Sequence, residues 1–187
     1  EEHGIYSPTA LCLDESGQLL VTETHRFRYG IPDNRNHRYW HTDDISALTV
    51  EDRRAMHQKW DEKYPISEMT KKSEKIRLLA DTDGDGKADK SRVYAEGFND
   101  MLDGTAAGIY ALEGQVYFAC IPHIWSLRDA DNDGVADQRE KLFSGFGVRV
   151  SLSGHDLNGF ALGPDGRLYG TIGDRAMNVT TREGLEL

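Results

Sequence analysis

Apolar and polar residues alternate in several short segments of this chain. The segment GHDLNGFALGPDGRLYGTIGDR (residues 154–175) has Phe160 and Leu162 in alternation before its centre, and Leu168 and Ile172 after it. A period of two is typical of β-strands, and the intervening GPDG supplies a tight turn. The pattern therefore predicts a β-hairpin.

The same hairpin pattern recurs at residues 9–24 and 105–119, and a second unit recurs between the hairpins. Residues 76–98 and 124–146 share an apolar start, an Asp-rich loop and an apolar strand. A repeat of about 50 residues built from four short strands is typical of a β-propeller blade. We therefore expect an all-β fold that comprises about three blades of a partial β-propeller.

Residues 26–75 interrupt this repeat. The first part, RFRYGIPDNRNHRYWHTDD, has no clean period and predicts a long surface loop. Thr49 followed by Asp52 is a capping-box pattern, and it predicts a helix over about 49–61. We expect this mostly irregular, partly helical insertion to pack as a lid on a neighbouring blade or partner, or else to bind substrate. The predicted apolar side of the helix consists of Val50, Ala55, Met56 and Trp60, with Tyr64 as a further candidate.

The charge balance narrows the function. The chain has 32 acidic and 22 basic residues and a net charge of −10, which argues against a nucleic-acid partner because such a partner requires a basic face. No run of about 18 apolar residues occurs, so we expect no membrane span. The two cysteines, Cys12 and Cys120, both fall on predicted strands and could be a disulfide or two buried free thiols.

Two Asp-rich loops have the spacing of calcium-binding loops. In DADNDGVADQRE (residues 129–140), acidic residues occupy positions one, three, five, nine and twelve, and Gly134 occupies position six. This is the spacing of an EF-hand loop, although the strand-like flanks exclude a true EF-hand. The predicted calcium ligands are Asp129, Asp131, Asp133, Asp137 and Glu140.

The other loop, DTDGDGKADKSR, matches the same spacing except at the twelfth position, which is Arg92. We expect a weaker site there because the bidentate carboxylate is replaced. The alternative for both loops is a solvated acidic turn without metal, and in either case the expected role is structural. The predicted ligands in this loop are Asp81, Asp83, Asp85 and Asp89.

His155 is the strongest catalytic candidate. It precedes the first strand of the 154–175 hairpin and Asp174 follows the second, so strand pairing places both at one end of the sheet. Histidine titrates near neutral pH and can act as general base on an alcohol, with Asp156 or Asp174 orienting its ring. The alternative is a purely structural histidine.

Three segments carry a family resemblance. VTETHR, LADTDGDGKADK and GHDLNGFALGPDGRLYGTIGD resemble the six-bladed propellers of the soluble quinoprotein glucose dehydrogenase-like family. They are most similar to the planctomycete-type membrane-bound dehydrogenases, which are often fused to a haem-binding cytochrome c domain. The resemblance covers nearly the whole chain, so residues 1–187 are expected to be the N-terminal part of one propeller domain, completed by further blades.

The resemblance implies roles for individual residues. The family's general base is a His eight residues before the GPD turn, which is the position of His155, and it acts as hydride passes to pyrroloquinoline quinone (PQQ). Gly173 and Asp174 match the family's Gly-Asp pair near sugar and quinone. Gly154 stands where the family has an acid, so Asp156 is the expected substitute. The quinone clamp is expected in later blades, and the sequence contains no CxxCH haem motif.

Two functions follow as alternatives. The first is a calcium-stabilised, PQQ-dependent dehydrogenase that oxidises a sugar-like alcohol or aldehyde and passes electrons to a cytochrome c domain or protein. The resemblance implies a periplasmic or extracellular location for it. The second is a non-catalytic calcium-binding propeller that recognises carbohydrate or protein, since a fold does not determine a function. An aromatic surface around Tyr39 and Trp40 would favour the second.

Overall fold

The first blade is a four-stranded antiparallel sheet. In this computed structural model, which describes residues 4–187, each of its strands pairs with the next one along the chain. Asp14 fixes the first turn, because its Oδ1 accepts the backbone N–H groups of Ser16 and Gln18. The strands are β1 (Pro8–Leu13), β2 (Leu19–Glu23), β3 (Glu74–Ala80) and β4 (Lys90–Phe98).

Two further sheets continue the same pattern. The second has the order β11-β8-β7-β6-β5, and the third pairs β9 with β10, both with antiparallel neighbours. Their strands are β5 (Gly108–Leu112), β6 (Gln115–Cys120), β7 (His123–Arg128), β8 (Gln138–Phe146), β9 (Leu157–Leu162), β10 (Leu168–Ile172) and β11 (Met177–Thr181).

The sheets follow one another as propeller blades do. The first strand of each sheet contacts the first strand of the next, β1 with β5 and β5 with β9. This arrangement confirms the predicted all-β, propeller-like fold. Apolar side chains fill the space between the first two sheets. The largest buried members are Leu20, Ile76, Tyr94, Phe98, Ile109, Phe118 and Leu127.

The alternation of strand direction gives the molecule two different ends. At the lower end lie the three hairpin turns and both Asp-rich loops. At the upper end lie the insertion and the connections 99–107, 147–156 and 173–176. A strand of six residues such as β9 spans about 20 Å, so the two ends are well separated.

The insertion is more ordered than the sequence predicted. Thr49 and Asp52 form the expected capping box, which confirms the predicted helix. The expected surface loop before it is wrong, because Arg26 and Trp40 are fully buried. The insertion contains α1 (His41–Ser46), α2 (Val50–Lys59), α3 (Ile66–Met69) and two short 3₁₀ helices, Asn34–Asn36 and Arg38–Trp40.

The buried side of α2 also differs from the prediction. Met56 is buried as expected, but Ala55 is exposed, and Arg53 and His57 are buried beside Met56. This side of the helix contacts polar backbone, since the Arg53 Nη2 group donates to the carbonyl of Leu102 at 2.7 Å. Long-range partners therefore decide which residues α2 buries.

The insertion packs on the connection 147–156, which carries His155. Asp33 accepts hydrogen bonds from the backbone and hydroxyl of Ser153, both at 3.2 Å. Asp44 accepts the N–H of Val150 at 2.7 Å. The insertion therefore fixes the backbone in front of His155, in agreement with the packing role considered above.

Two sequence expectations concern the cysteines and a membrane span. Cys12 and Cys120 are free thiols, the first partly buried and the second fully buried. Burial raises the pKa of Cys12 to about 11, so it is a poor nucleophile. Among residues 4–187, none of the helices is both long and apolar enough to cross a membrane.

Glu74 joins the insertion to the first blade. Its carboxylate accepts hydrogen bonds from the Thr24 hydroxyl and from the backbone N–H groups of Arg26 and Ala106, at 2.8–3.1 Å. Burial raises the pKa of Glu74 to about 7, against an ordinary value of 4.5. Glu74 is therefore a buried acid that is protonated more readily in the folded than in the unfolded chain.

This pKa predicts a pH dependence of stability. Between pH 4.5 and 7 the folded state holds a proton that the unfolded state has lost, so the contribution of Glu74 to the free energy of unfolding falls as pH rises. The expected slope is up to about 1.4 kcal/mol per pH unit. Urea unfolding from pH 4.5 to 7.5 should show a shallower fall in the Glu74→Gln variant. Glu96→Gln, which changes a largely exposed acid, should keep the wild-type slope.

Candidate functional site

His155 and Asp174 meet at the upper end of the third sheet. The His155 Nδ1 atom lies 3.0 Å from Asp174 Oδ1, and the two side chains are 49% and 54% exposed. With Nδ1 donating to the carboxylate, Nε2 is the ring nitrogen that accepts a proton in the neutral tautomer. The pair has the arrangement of an oriented general base open to solvent.

The backbone brings the two residues together because position 173 is a glycine. A Cβ atom at Gly173 would lie 2.8 Å from the His155 carbonyl oxygen and 3.0 Å from the His155 Cβ atom. The connection after β10 therefore touches the backbone of His155 at a distance that only glycine allows. Gly173 therefore allows Asp174 to approach His155.

Asp174 is held in its ionised form. The hydroxyl of Ser151 and the ring of His155 lower the pKa of the Asp174 carboxyl below its usual range, against a smaller opposing effect of burial. An ionised Asp174 would stabilise an imidazolium form of His155. Asp174 is therefore the carboxylate that can orient the His155 ring.

Asp156 is not part of this exposed pair. It is fully buried, and its Oδ1 pairs with the Nη1 group of Arg175, which is itself 1% exposed. Burial would raise the pKa of Asp156, but the charge of Arg175 and the N–H of Thr105 lower it more. Asp156 therefore lies directly beneath the pair and does not replace Asp174 as the partner of His155.

The two Asp-rich loops each bring three carboxylates together. In each loop the carboxylate oxygens of the first, third and fifth residues lie within 4.8 Å of one another. Backbone N–H groups fix them in the same way, since Gly86 donates to Asp81 at 2.8 Å and Gly134 donates to Asp129 at 2.7 Å. The two groups are Asp81, Asp83, Asp85 and Asp129, Asp131, Asp133.

The other predicted ligands lie outside these groups. Asp89 accepts hydrogen bonds from Thr82, and Asp137 accepts one from the N–H of Ala130, so both stabilise the loop backbone. Glu140 lies on β8 and pairs with Arg182, with both Nη1–Oε distances at 3.2 Å.

A strand begins at Gln138, which turns position twelve away from the loop. The loop at residues 129–140 was predicted to be the stronger calcium site because of Glu140. In the structure Glu140 does not join the three-carboxylate group of this loop. Each loop offers three carboxylates, from its first, third and fifth residues.

The three-carboxylate groups suit a hard cation. Calcium prefers carboxylate and carbonyl oxygens, and each loop provides three carboxylates on a tight, glycine-containing backbone. Both loops lie at the lower end of the strands, and His155 lies at the upper end. An ion held there would stabilise the blades and would not contact the His155–Asp174 pair.

Sequence reasoning did not find the buried charges beneath the pair. Arg53, Arg175 and Asp156 are each at most 2% exposed and lie within electrostatic range of one another. The only available signal was position, because Asp156 and Arg175 directly follow His155 and Asp174 in the sequence.

Comparisons with known proteins give a family but no activity. No curated protein sequence matches this chain. A solved structure described as a Mycobacterium tuberculosis puromycin-hydrolyzing peptidase is similar at 16% identity and a TM-score of 0.46. The similarity covers 96% of this chain but 21% of that one, and the hydrolytic activity named there is that protein's. A family model described as "Domain of unknown function (DUF7133)" matches residues 1–186, and the chain therefore belongs to this family.

Proposed function

We propose that this protein oxidises a sugar-like alcohol or aldehyde, and that His155 takes the proton of the substrate hydroxyl. The observation that supports the proposal is the distance of 3.0 Å between His155 Nδ1 and Asp174 Oδ1 in a pair that is half exposed. Nε2 accepts the proton of the substrate hydroxyl while hydride leaves the carbon that bears this hydroxyl. No free alkoxide therefore accumulates. Asp174 then stabilises the positive charge on the ring.

The hydride acceptor enters this proposal through the family resemblance. PQQ, when bound, supplies the acceptor for the hydride, and a cytochrome c domain or protein receives the electrons, in the periplasm or outside the cell. The cation nearest to the pair in sequence, Arg175, is buried and pairs with Asp156. It is not available to bind a quinone carboxylate. We therefore assign proton transfer to His155 and Asp174, and quinone binding to further blades of the propeller.

A dye-reduction assay tests the proposal. The intact protein, supplied with PQQ and calcium, should reduce an artificial electron acceptor when a sugar or polyol is added. The control is the same mixture without PQQ, which should give no substrate-dependent signal. If no sugar or polyol supports dye reduction after reconstitution, the dehydrogenase proposal is wrong.

A second candidate function rests on a groove at the lower end. A groove of about 660 Å³ lies between the first two blades, with Leu20, Leu78 and Val116 among its apolar lining residues. Asp81 and Asp129 of the two loops contribute to its polar lining. A groove lined by both apolar and charged side chains can recognise a ligand, and it supports the alternative of a non-catalytic calcium-binding propeller. The expected aromatic surface does not support it, because Trp40 is fully buried.

In both candidate functions calcium has a structural role, and this predicts a thermal shift. Millimolar calcium should raise the melting temperature relative to excess chelator, since an ion that binds only the folded loops stabilises by mass action, by about 2.7 kcal/mol at 100 times its Kd. Because the loops offer equivalent groups, Asp83→Asn and Asp131→Asn should each remove part of the shift. Glu113→Gln, an exposed change in a turn at the same end, should leave it intact. Identical melting curves with calcium and with chelator would contradict the prediction.

A further inference from the structure

The start of the insertion places an aromatic and a cationic side chain next to His155. A Cβ atom at Gly154 would lie 3.3 Å from Phe27 Cε2, so the ring of Phe27 packs on the residue before His155. The guanidinium of Arg28 lies over this ring, 5.4 Å from its centroid. Phe27 is partly exposed and Arg28 is exposed. A series of contacts therefore runs from His155 through Gly154 and Phe27 to Arg28.

The backbone that carries Phe27 and Arg28 is fixed. The carbonyl oxygen of Arg26 accepts hydrogen bonds from the N–H groups of residues 29–31, at 2.8–3.1 Å. Arg26 is fully buried, and its guanidinium donates to the backbone carbonyls of three other residues. The loop at residues 26–31 is therefore anchored in the protein interior. It presents the two side chains to a ligand with little further loss of backbone freedom.

Arg28 has a backbone conformation that its side chain does not favour. Its φ is +66°, in the left-handed region that glycine adopts freely and arginine rarely. Such conformations cost free energy and are concentrated at binding and catalytic sites. Among residues 4–187 no carboxylate pairs with the Arg28 guanidinium, so its N–H donors are open to solvent or to a ligand. No ion pair within the fold therefore explains an arginine at this strained position.

The two side chains match two parts of a sugar acid. A guanidinium presents paired N–H donors whose spacing fits a carboxylate. An aromatic ring provides the apolar surface on which the C–H face of a sugar ring packs. Asp174, which is ionised and lies beside His155, repels a second anion at the pair. A carboxylate on the ligand therefore binds at Arg28, and a hydroxyl group of the ligand is left to face His155.

We propose that the substrate of this site is a sugar acid, with its carboxylate on Arg28, its ring against Phe27 and a hydroxyl group at Nε2 of His155. The inference rests on the proposed function, since it names the substrate class of the same site. A neutral sugar keeps the contact with Phe27 but leaves the N–H donors of Arg28 to water. Neutral sugars should therefore bind more weakly than sugar acids of the same shape.

Calorimetric titration of the intact protein without PQQ tests the site. The ligands are sodium glucuronate, its uncharged methyl ester and glucose, and glucuronate should bind about tenfold more tightly than either neutral sugar. Arg28→Gly should remove this preference. Because glycine adopts a positive φ freely, this variant should melt no lower than the wild type, so the loss does not result from unfolding. Arg167→Gly, the same change in the exposed lower turn of the β9–β10 hairpin, should keep the preference.

The design separates this inference from the dehydrogenase proposal. A glucuronate preference that Arg28→Gly removes, in a protein that reduces no dye, would support the sugar-acid site and reject the dehydrogenase. In an active protein, Arg28→Gly should raise KM for glucuronate about tenfold and leave kcat unchanged. Equal wild-type affinity for glucuronate and glucose would overturn the inference, as would a preference that persists in Arg28→Gly. So would weaker PQQ binding in Arg28→Gly with unchanged glucuronate binding, which would assign Arg28 to the quinone.

Discussion

Replacing His155 by alanine is expected to lower the turnover of the PQQ-loaded intact protein by about 10²–10⁴-fold, the usual contribution of a positioned general base. The imidazole is the proton acceptor of the exposed pair in this proposal, because Asp174 is held ionised by Ser151 and His155. The loss should appear in kcat, measured by dye reduction with the substrate that gives the highest wild-type rate. The calcium-dependent thermal shift should be unchanged, because both Asp-rich loops lie at the other end of the sheets.

Two further variants test how much the charge of Asp174 contributes to turnover. Asp174→Asn removes the charge that holds Nδ1 but leaves the base in place, so its loss should be smaller than that of His155→Ala. Asp165→Asn makes the same chemical change in the lower turn of the same hairpin, where the carboxylate accepts from Tyr169, and should have no effect on kcat. If His155→Ala is as active as an active wild type, His155 is only structural.

The hairpins and Asp-rich loops could be predicted because their signals are local. Alternation with period two, a turn glycine and the spacing of acidic residues all lie within about 20 consecutive residues. The same locality explains why the His155–Asp174 pair could be anticipated, since the β9–β10 hairpin alone brings residues 155 and 174 to one end. These features depend little on the rest of the chain.

The insertion was predicted poorly because its partners are distant in sequence. Arg26 appeared in the sequence as part of a polar loop, but its guanidinium donates to the carbonyls of Met69, Asp100 and Asp103 and is fully buried. Arg53 and His57 have the polarity of exposed helix positions and are buried, Arg53 against the carbonyl of Leu102 and His57 against the ring of Trp40. Burial of a charged residue depends on long-range partners that no periodic pattern records.

Glu140 illustrates a different failure, because the strand-like flanks of its loop were predicted but their effect on position twelve was not. The twelve-residue spacing assumes that a helix follows the loop and returns position twelve to the ion. Here β8 follows, and an extended backbone carries Glu140 to Arg182 instead. The twelfth position of the other loop, Arg92, also lies on a strand, β4, and its side chain packs against Gly134 of the loop at residues 129–140.

Asp156→Ala is expected to lower the free energy of unfolding by about 3–5 kcal/mol, which is the usual cost of breaking a buried ion pair at one partner. The change leaves the Arg175 guanidinium at 1% exposure without its carboxylate, and it also removes the acceptor of the Thr105 N–H. Urea unfolding of the intact protein measures the effect.

Two further variants test whether the unpaired charge of Arg175 causes this loss of stability. Asp156→Leu combined with Arg175→Met should be less destabilised than Asp156→Ala, because it removes the stranded charge and replaces the pair with apolar side chains of similar size. Glu183→Ala breaks an exposed pair with Arg182, and should have little effect on the free energy of unfolding. A loss for Asp156→Ala no larger than that of Glu183→Ala would mean that the buried pair does not hold the connections 147–156 and 173–176 together. In that case the position of His155 against Asp174 must depend chiefly on Gly173 and the insertion.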